Sequence, residues 1–159
     1  MRFDHRIDDL IAPDFISFIP VNIRRARIKG WELTGDTLLA GFAIKTSLTS
    51  QRPIDADSGR QLRARAKIFG SLAVERTISQ WTIGGDLVAN GRRYDSATEA
   101  ASSRMGGYAL LNARLAYQVN KLVSVEINGQ NLTDRRYELA RGYNTPNRSV
   151  FLNLKLVGF

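Results

Sequence analysis

The chain has 159 residues and a formal net charge of +8, with 43% hydrophobic and 24% charged residues, a length and composition that suit one ordinary domain. Cysteine is absent, which excludes a disulfide framework, a thiol nucleophile and a cysteine zinc site. No run approaches the roughly 18 apolar residues of a membrane helix, a test that barrel strands escape because their alternation averages out.

Arg and Lys are scattered rather than gathered into one tract, which argues against a nucleic-acid partner. Anionic lipid headgroups suit the charge equally well. The start, Met1-Arg2-Phe3-Asp4-His5, lacks the apolar core of a signal peptide.

Met1 to Ala12 alternates weakly through Phe3, Ile7 and Leu10-Ile11 and reads as a strand already under way. Asp4, Asp8 and Asp9 beside the single histidine, His5, make a poor metal signature and read as surface charge. Pro13 and Pro20 bracket a short apolar connection, Phe15 to Ile19. Arg24 to Thr34 is the next strand. Ala26 and Ile28 share one phase and Trp31 and Leu33 the other, so a bulge or kink is expected at Gly30. Gly35-Asp36 predicts a tight turn.

Leu38 to Thr49 alternates cleanly, with Leu38, Ala40, Phe42, Ile44 and Leu48 on one face. Arg52 to Arg60 is a polar loop. Leu62 to Val74 alternates again, with Arg63, Arg65 and Lys67 opposing Leu62, Ala64, Ala66 and Ile68. A short turn at Arg76 to Ser79 leads to Trp81, Ile83, Gly85, Leu87 and Ala89, which oppose Asp86, Asn90 and Arg92. Asp95 to Arg104 is a second polar loop. Leu111, Ala113, Leu115 and Tyr117 oppose Asn112 and Arg114, and after a turn at Asn120-Lys121, Val123, Val125 and Ile127 oppose Glu126 and Asn128. A third polar stretch, Glu138 to Arg148, precedes a last strand with Val150, Leu152, Leu154 and Leu156 in phase.

The pattern predicts an all-β chain of about eight antiparallel strands in a meander. The strands run to roughly 10 to 14 residues, longer than soluble sheets use and long enough to cross a bilayer at a tilt. Short turns near Gly35, Thr77 and Asn120 alternate with long loops near Asp55, Thr98 and Arg141, the arrangement of an outer-membrane barrel with short periplasmic turns and longer extracellular loops. Charged strand residues such as Asp86, Arg114 and Glu126 would then face the lumen. A soluble sheet would put them in solvent, and alternation alone does not separate the two. Trp31, Trp81, Tyr94, Tyr108, Tyr117, Tyr137 and Phe159 fall mostly near strand ends, where interfacial girdles sit.

No Ser/His/Asp set is in view, and Gly84-Gly85 and Gly106-Gly107 lack the Lys-Ser/Thr ending of a phosphate loop. Nothing points to an enzyme, a cofactor or a metal. Asn131-Leu132-Thr133 and Asn147-Arg148-Ser149 match a glycosylation sequon but read better as turns.

Four segments carry a resemblance: Arg6-Ile7-Asp8-Asp9-Leu10-Ile11, Arg25-Ala26-Arg27-Ile28-Lys29-Gly30-Trp31-Glu32-Leu33, Asn131-Leu132-Thr133-Asp134-Arg135-Arg136-Tyr137, and Arg141 to Pro146 followed by Arg148 to Leu152. In order and spacing the chain resembles the barrel of TonB-dependent outer-membrane receptors, closest to those for vitamin B12. Asn131, Leu132, Asp134 and Tyr137 match the family's motif near the barrel end. Asn147 stands where the family has Gly, and Asn tolerates the left-handed conformation.

The resemblance implies the C-terminal part, over residues 1–159, of a 22-stranded barrel around a plug. The plug and the signal peptide are absent from the sequence. It implies uptake of cobalamin or an iron-siderophore outside the cell, TonB contact through the missing plug, outer-membrane lipid as surroundings, and Phe159 as the signal read by the barrel-assembly machinery. Phe159 is out of phase with Leu156, so a bulge is expected near Val157-Gly158. The alternatives are a small structural or pore-like eight-stranded barrel and a soluble basic all-β binding module.

Overall fold

The computed structural model describes residues 1–13 and 19–157. The connection read at Phe15 to Ile19 falls largely outside them, as do Phe159 and the bulge expected at Val157-Gly158. The strands are β1 (Arg2–Pro13), β2 (Pro20–Leu39), β3 (Phe42–Asp55), β4 (Ile68–Ile78), β5 (Trp81–Asn90), β6 (Arg93–Tyr94), β7 (Arg104–Met105), β8 (Tyr108–Gln118), β9 (Val123–Gln130) and β10 (Ser149–Leu156). Eight of them form one sheet in the order β1-β2-β3-β4-β5-β8-β9-β10, and every neighbouring pair is antiparallel. The expected all-β meander is therefore present. The ribbon β6–β7 is separate and lies in a loop. β1 and β10 are the two edges, and no ladder joins them among the described residues.

The ladder register divides the sheet into two faces. The outward row on β3 contains Phe42, Ile44 and Leu48, and across the sheet it meets Leu72 and Val74, then Leu87, Leu111 and Leu115, then Ile127 and Leu152. Most of these side chains are exposed: Leu48 is 47% exposed and Leu152 is 73% exposed. The opposite face carries Asp86, Asn112, Arg114, Glu126 and Lys155. There, Asn112 donates to Asp86 at 2.8 Å, Arg114 pairs with Glu75, and Glu126 lies 3.8 Å from Arg114. A sheet with an exposed apolar face and a polar, ion-paired face inverts the soluble arrangement. Trp81 and Tyr117 sit at the short-turn end of the apolar face with ring centroids 4.5 Å apart, and Arg76 lies 4.8 Å over the Phe42 ring beside them.

Several sequence expectations need correction. Gly35-Asp36 is not a turn: Gly35 pairs with Thr46 and Asp36 with Lys45 inside the ladder. The reversal is at Ala40-Gly41, with φ of 50° and 80°, the paired left-handed values of a tight hairpin. Leu38 to Thr49 is thus two strands, and Leu38 pairs with Ala43 on the face opposite Phe42. Gly30 makes no bulge either, since the register runs through it on both sides. The apolar phase switches there because the surroundings do. Ala26, 2% exposed, lies on the inward face under the loops, whereas Trp31 and Leu33 look outward.

The strand expected from Leu62 begins only at Ile68. Leu62 and Ala66 are buried in a loop, and Ala64 has φ of 54°. Strand β4 in turn runs on to Ile78, past the turn expected from Arg76. Asn147 does not adopt the left-handed conformation; Asn131, Asp134 and Gly142 do. Tyr94, Tyr108 and Tyr137 belong to the loop end rather than to an outward girdle, for Tyr108 and Tyr137 pair with each other at 4.5 Å.

Gly70 shows how tightly two strands approach. A Cβ there would run into the Ser47 carbonyl and lie 3.2 Å from Leu48 Cα. Gly70→Ala is expected to destabilise the sheet by about 2 kcal/mol, the cost of overpacking. Gly35→Ala, which meets only a Thr46 methyl at 3.5 Å, is expected to be silent. Urea unfolding of the two variants followed by tryptophan fluorescence checks the contrast.

Candidate ligand-facing loop cluster

The hairpin turns at Ala40-Gly41, Ser79-Gln80 and Val119–Leu122 lie at one end of the sheet, and the long loops 56–67, 91–107 and 131–148 at the other. The long loops hold most of the buried residues. Gln61, Leu62, Ala66, Arg93, Ser96, Ser103, Met105 and Asn131 are all buried, and Met105 is only 1% exposed. The strands need no such core because their apolar side faces outward.

Asp95 ties the three loops together. Its carboxylate accepts from Arg63 at 2.8 Å and from the Arg141 amide at 2.9 Å, and its own amide donates to the Ser103 carbonyl at 2.8 Å. Arg63 and Asp95 are nearly buried, with side chains 11% and 14% exposed. The Gln61 amide donates to Glu99, and the Ala64 amide donates to the Tyr94 carbonyl at 2.8 Å. Arg93 lies 5.5 Å over Tyr108 and donates to the Glu138 carbonyl at 2.6 Å. At the entry to loop 56–67, burial raises the pKa of Asp55. The Ser58 hydroxyl and the Asp57 and Ser58 amides outweigh it, and the carboxyl is held below its ordinary value.

The motif residues of the last loop act locally. Asn131, with φ of 48°, donates through Nδ2 to the Arg135 carbonyl at 3.0 Å and the Pro146 carbonyl at 3.3 Å. Its Oδ1 accepts from the Arg135 amide at 2.8 Å, and its own amide donates to Asn112 at 2.9 Å. Leu132 covers Gly129, where a Cβ would lie 2.7 Å from the leucine Cδ2. Asp134 accepts from the Arg148 amide at 2.9 Å, and the Tyr137 ring packs at a tilt of 39° against Tyr108. Both ends of the loop are thus clasped to the sheet.

Two clefts open beside these loops. One, of about 600 Å³, is polar and lined by Gly107, Arg135, Arg136, Tyr137, Asn144 and Thr145. The other, of about 460 Å³, lies between Ile7, Ile28, Leu62 and Leu139, with Arg63 and Asp95 at its margin. Of the three expected polar loops, Asp95 to Arg104 and Glu138 to Arg148 lie in the cluster. Arg52 to Arg60 straddles the end of β3. Arg93, Gln61 and Met105 were missed. The available signal was the length of 91–107, since structureless loops beyond about 12 to 15 residues are uncommon unless they have a task.

An antiparallel meander with an apolar outside, a polar inside and long loops at one end defines the wall of a transmembrane β-barrel. The family described as TonB dependent receptor-like, beta-barrel matches residues 3–132. The vitamin B12 transporter BtuB of Photobacterium profundum is 32% identical over 161 residues, covering 94% of this chain and 25% of that protein. The BtuB of Vibrio cholerae is 26% identical over 158 residues, covering 96% and 25%. Among solved structures, the copper transporter OprC superposes with a TM-score of 0.77 at 16% identity over 95% of this chain and 26% of that one. The ferric-catecholate import receptor Fiu of E. coli K12 does so with a TM-score of 0.75 at 17% identity over 98% and 24%. At these identities the structural likeness shows the fold.

The chain belongs to the TonB-dependent receptor family, as part of its β-barrel. It spans about a quarter of the length of the curated relatives it matches. Members of the family are outer-membrane receptors and transporters rather than enzymes.

Proposed function

We propose that this chain forms the C-terminal part of the wall of an outer-membrane receptor that takes up cobalamin or an iron chelate. The observation that carries this reading is the division of labour in the sheet. Its apolar face is bare, its polar face is ion-paired, and its long loops pack into a cleft-bearing cluster at one end. Further strands beside the edges β1 and β10 would complete the wall, because lipid does not tolerate unpaired edges. In this reading the loop cluster contributes to ligand capture outside the cell. Energy comes from TonB through a plug within the same receptor. Phe159 serves the barrel-assembly machinery, with Asn131, Leu132, Asp134 and Tyr137 as the family motif that closes the last loop. Cobalamin is favoured by the 32% identity to a vitamin B12 transporter.

The test is a chimaera in which this chain replaces the matching quarter of a BtuB protein in cells that depend on it for cobalamin. Uptake of cyanocobalamin above that of cells without the chimaera is expected. A chimaera that inserts as a heat-modifiable barrel yet restores only siderophore-iron uptake would move the ligand to iron chelates. One that inserts and transports neither would overturn the receptor reading. The self-closed small barrel is less well supported, because β1 and β10 are unpaired among the described residues.

A further inference from the structure

The outward rows of β2 and β3 run without charge from Leu39 up to Trp31 and from Phe42 up to Ser50, about nine residues each, enough to cross a bilayer at the usual tilt. The next outward positions are Lys29 and Arg52, which are register partners. On β1, Arg2 stands opposite Trp31 and Arg6 opposite Arg27. Arg2, Arg6, Lys29 and Arg52 are exposed. Among the described residues, none of the four has a carboxylate in salt-bridge range. Their neighbours Arg25 and Arg27 are matched by Asp57 and Asp4; Asp4 is also the register partner of Lys29, and Asp8 lies on the same face. The Arg2 guanidinium sits 5.9 Å over the Trp31 ring. A shallow groove of about 420 Å³ runs between Arg2, Lys29, Trp31, Ser50 and Arg52.

At the loop end, β4, β5, β8 and β9 do not continue the patch. The last outward positions at the loop end of β4, β5, β8 and β9 are Ile68, Ala89, Ala109 and Gly129, none of them charged. Cations therefore outnumber carboxylates on the membrane-facing side, one step beyond the apolar band, above an exposed tryptophan.

We infer that the groove between Arg2, Lys29 and Arg52 holds the phosphate groups of an anionic lipid headgroup at the loop-side membrane surface, with Trp31 against the top of its acyl chains. Arginine forks suit phosphate oxygens, and lysine adds a mobile point charge. Tryptophan suits the boundary between headgroup and chain. A soluble anion has no reason to choose cations that flank a lipid-facing band. The inference rests on the reading that the apolar face meets lipid.

The experiment refolds the chimaeric receptor that carries this chain into phosphatidylcholine vesicles, with and without added diphosphorylated lipid A. The chimaera is then re-extracted in detergent, and the lipid A retained per molecule is measured. The wild type is expected to enrich lipid A over phosphatidylcholine. The variant R2Q/K29Q/R52Q is expected to retain about a tenth as much or less, as the loss of three near-surface cations implies. K121Q, at the short-turn end, is expected to behave as wild type. Equal retention by the triple variant would overturn the inference. So would displacement of the lipid by inorganic phosphate at equal concentration, which would make this a free-anion site. Heat-modifiable migration separates the two readings. If no chimaera inserts, the membrane reading itself fails; insertion without enrichment overturns this inference alone.

Discussion

Asp95→Ala is expected to release the three long loops from one another while leaving the sheet intact. The substitution removes the partner of a nearly buried guanidinium, Arg63, and the acceptor of the Arg141 amide. Stripping one member from a buried ion pair costs about 3 to 5 kcal/mol when the remaining charge is left bare; Arg63 keeps its bond to the Asp95 backbone carbonyl at 2.6 Å, so a smaller cost, about 2 kcal/mol, is expected here. The cost should appear as rapid protease cleavage within 56–67 and 91–107, with heat-modifiable migration unchanged. Arg63→Ala combined with Asp95→Ala should recover part of the loss, since no charge is then stranded. A double variant cleaved faster than Asp95→Ala would show that packing, not the ion pair, holds the loops. Asp95→Ala loops as resistant as wild type would show that neither does.

Asn131→Ala should open the last loop. Its side chain bridges the Arg135 carbonyl, the Pro146 carbonyl and the Arg135 amide, and its backbone is left-handed at φ of 48°. Losing these bonds at about 1 kcal/mol each, and forcing alanine into that conformation at about 1 kcal/mol more, gives a cost of about 3 to 4 kcal/mol. Asn131→Asp keeps the acceptor and the tolerance for positive φ but loses the donor, so it should fall between. Hydrogen exchange at the Arg135 and Arg148 amides reads the effect directly, because the same clasp protects both. Slow exchange at both amides in Asn131→Ala would show that Leu132 over Gly129 suffices to hold the loop.

The sheet was legible where each strand has one environment per face. β5, β8, β9 and β10 follow from period-2 alternation because one side is apolar and bare, and the other is mostly polar, with Val88, Leu110, Ala116 and Phe151 as its apolar exceptions. β2 does not obey that condition. Its lower half turns apolar residues outward and its upper half turns Ala26 and Ile28 inward beneath the loops, so a change of surroundings at Gly30 mimicked a bulge. The turn at Ala40-Gly41 hid because Leu38-Leu39 and Phe42 continue the apolar rhythm across it, while Gly35-Asp36 carried the stronger turn signal.

The loop cluster was legible only as polar length. Arg63 and Asp95 are 32 positions apart and on no common periodic element, so nothing local announces their pairing. Leu62 and Ala66 looked like strand residues because a buried loop can alternate too. The segment from Asn131 to Tyr137 was noticed through resemblance; how Asn131 grips both ends of the loop, and how Leu132 fits over Gly129, required the fold.

The uncharged outward stretches of β2 and β3 also set a length scale. About nine residues at about 3.3 Å each, tilted near 45°, give a hydrophobic height on the order of 20 Å. That is shorter than the hydrocarbon core of an average bilayer, and the bacterial outer membrane is itself thinner than average. Thickness is thus an address written into the wall: a thick membrane would have to dimple around Trp31 and Trp81, and a thin one receives the chain without bending.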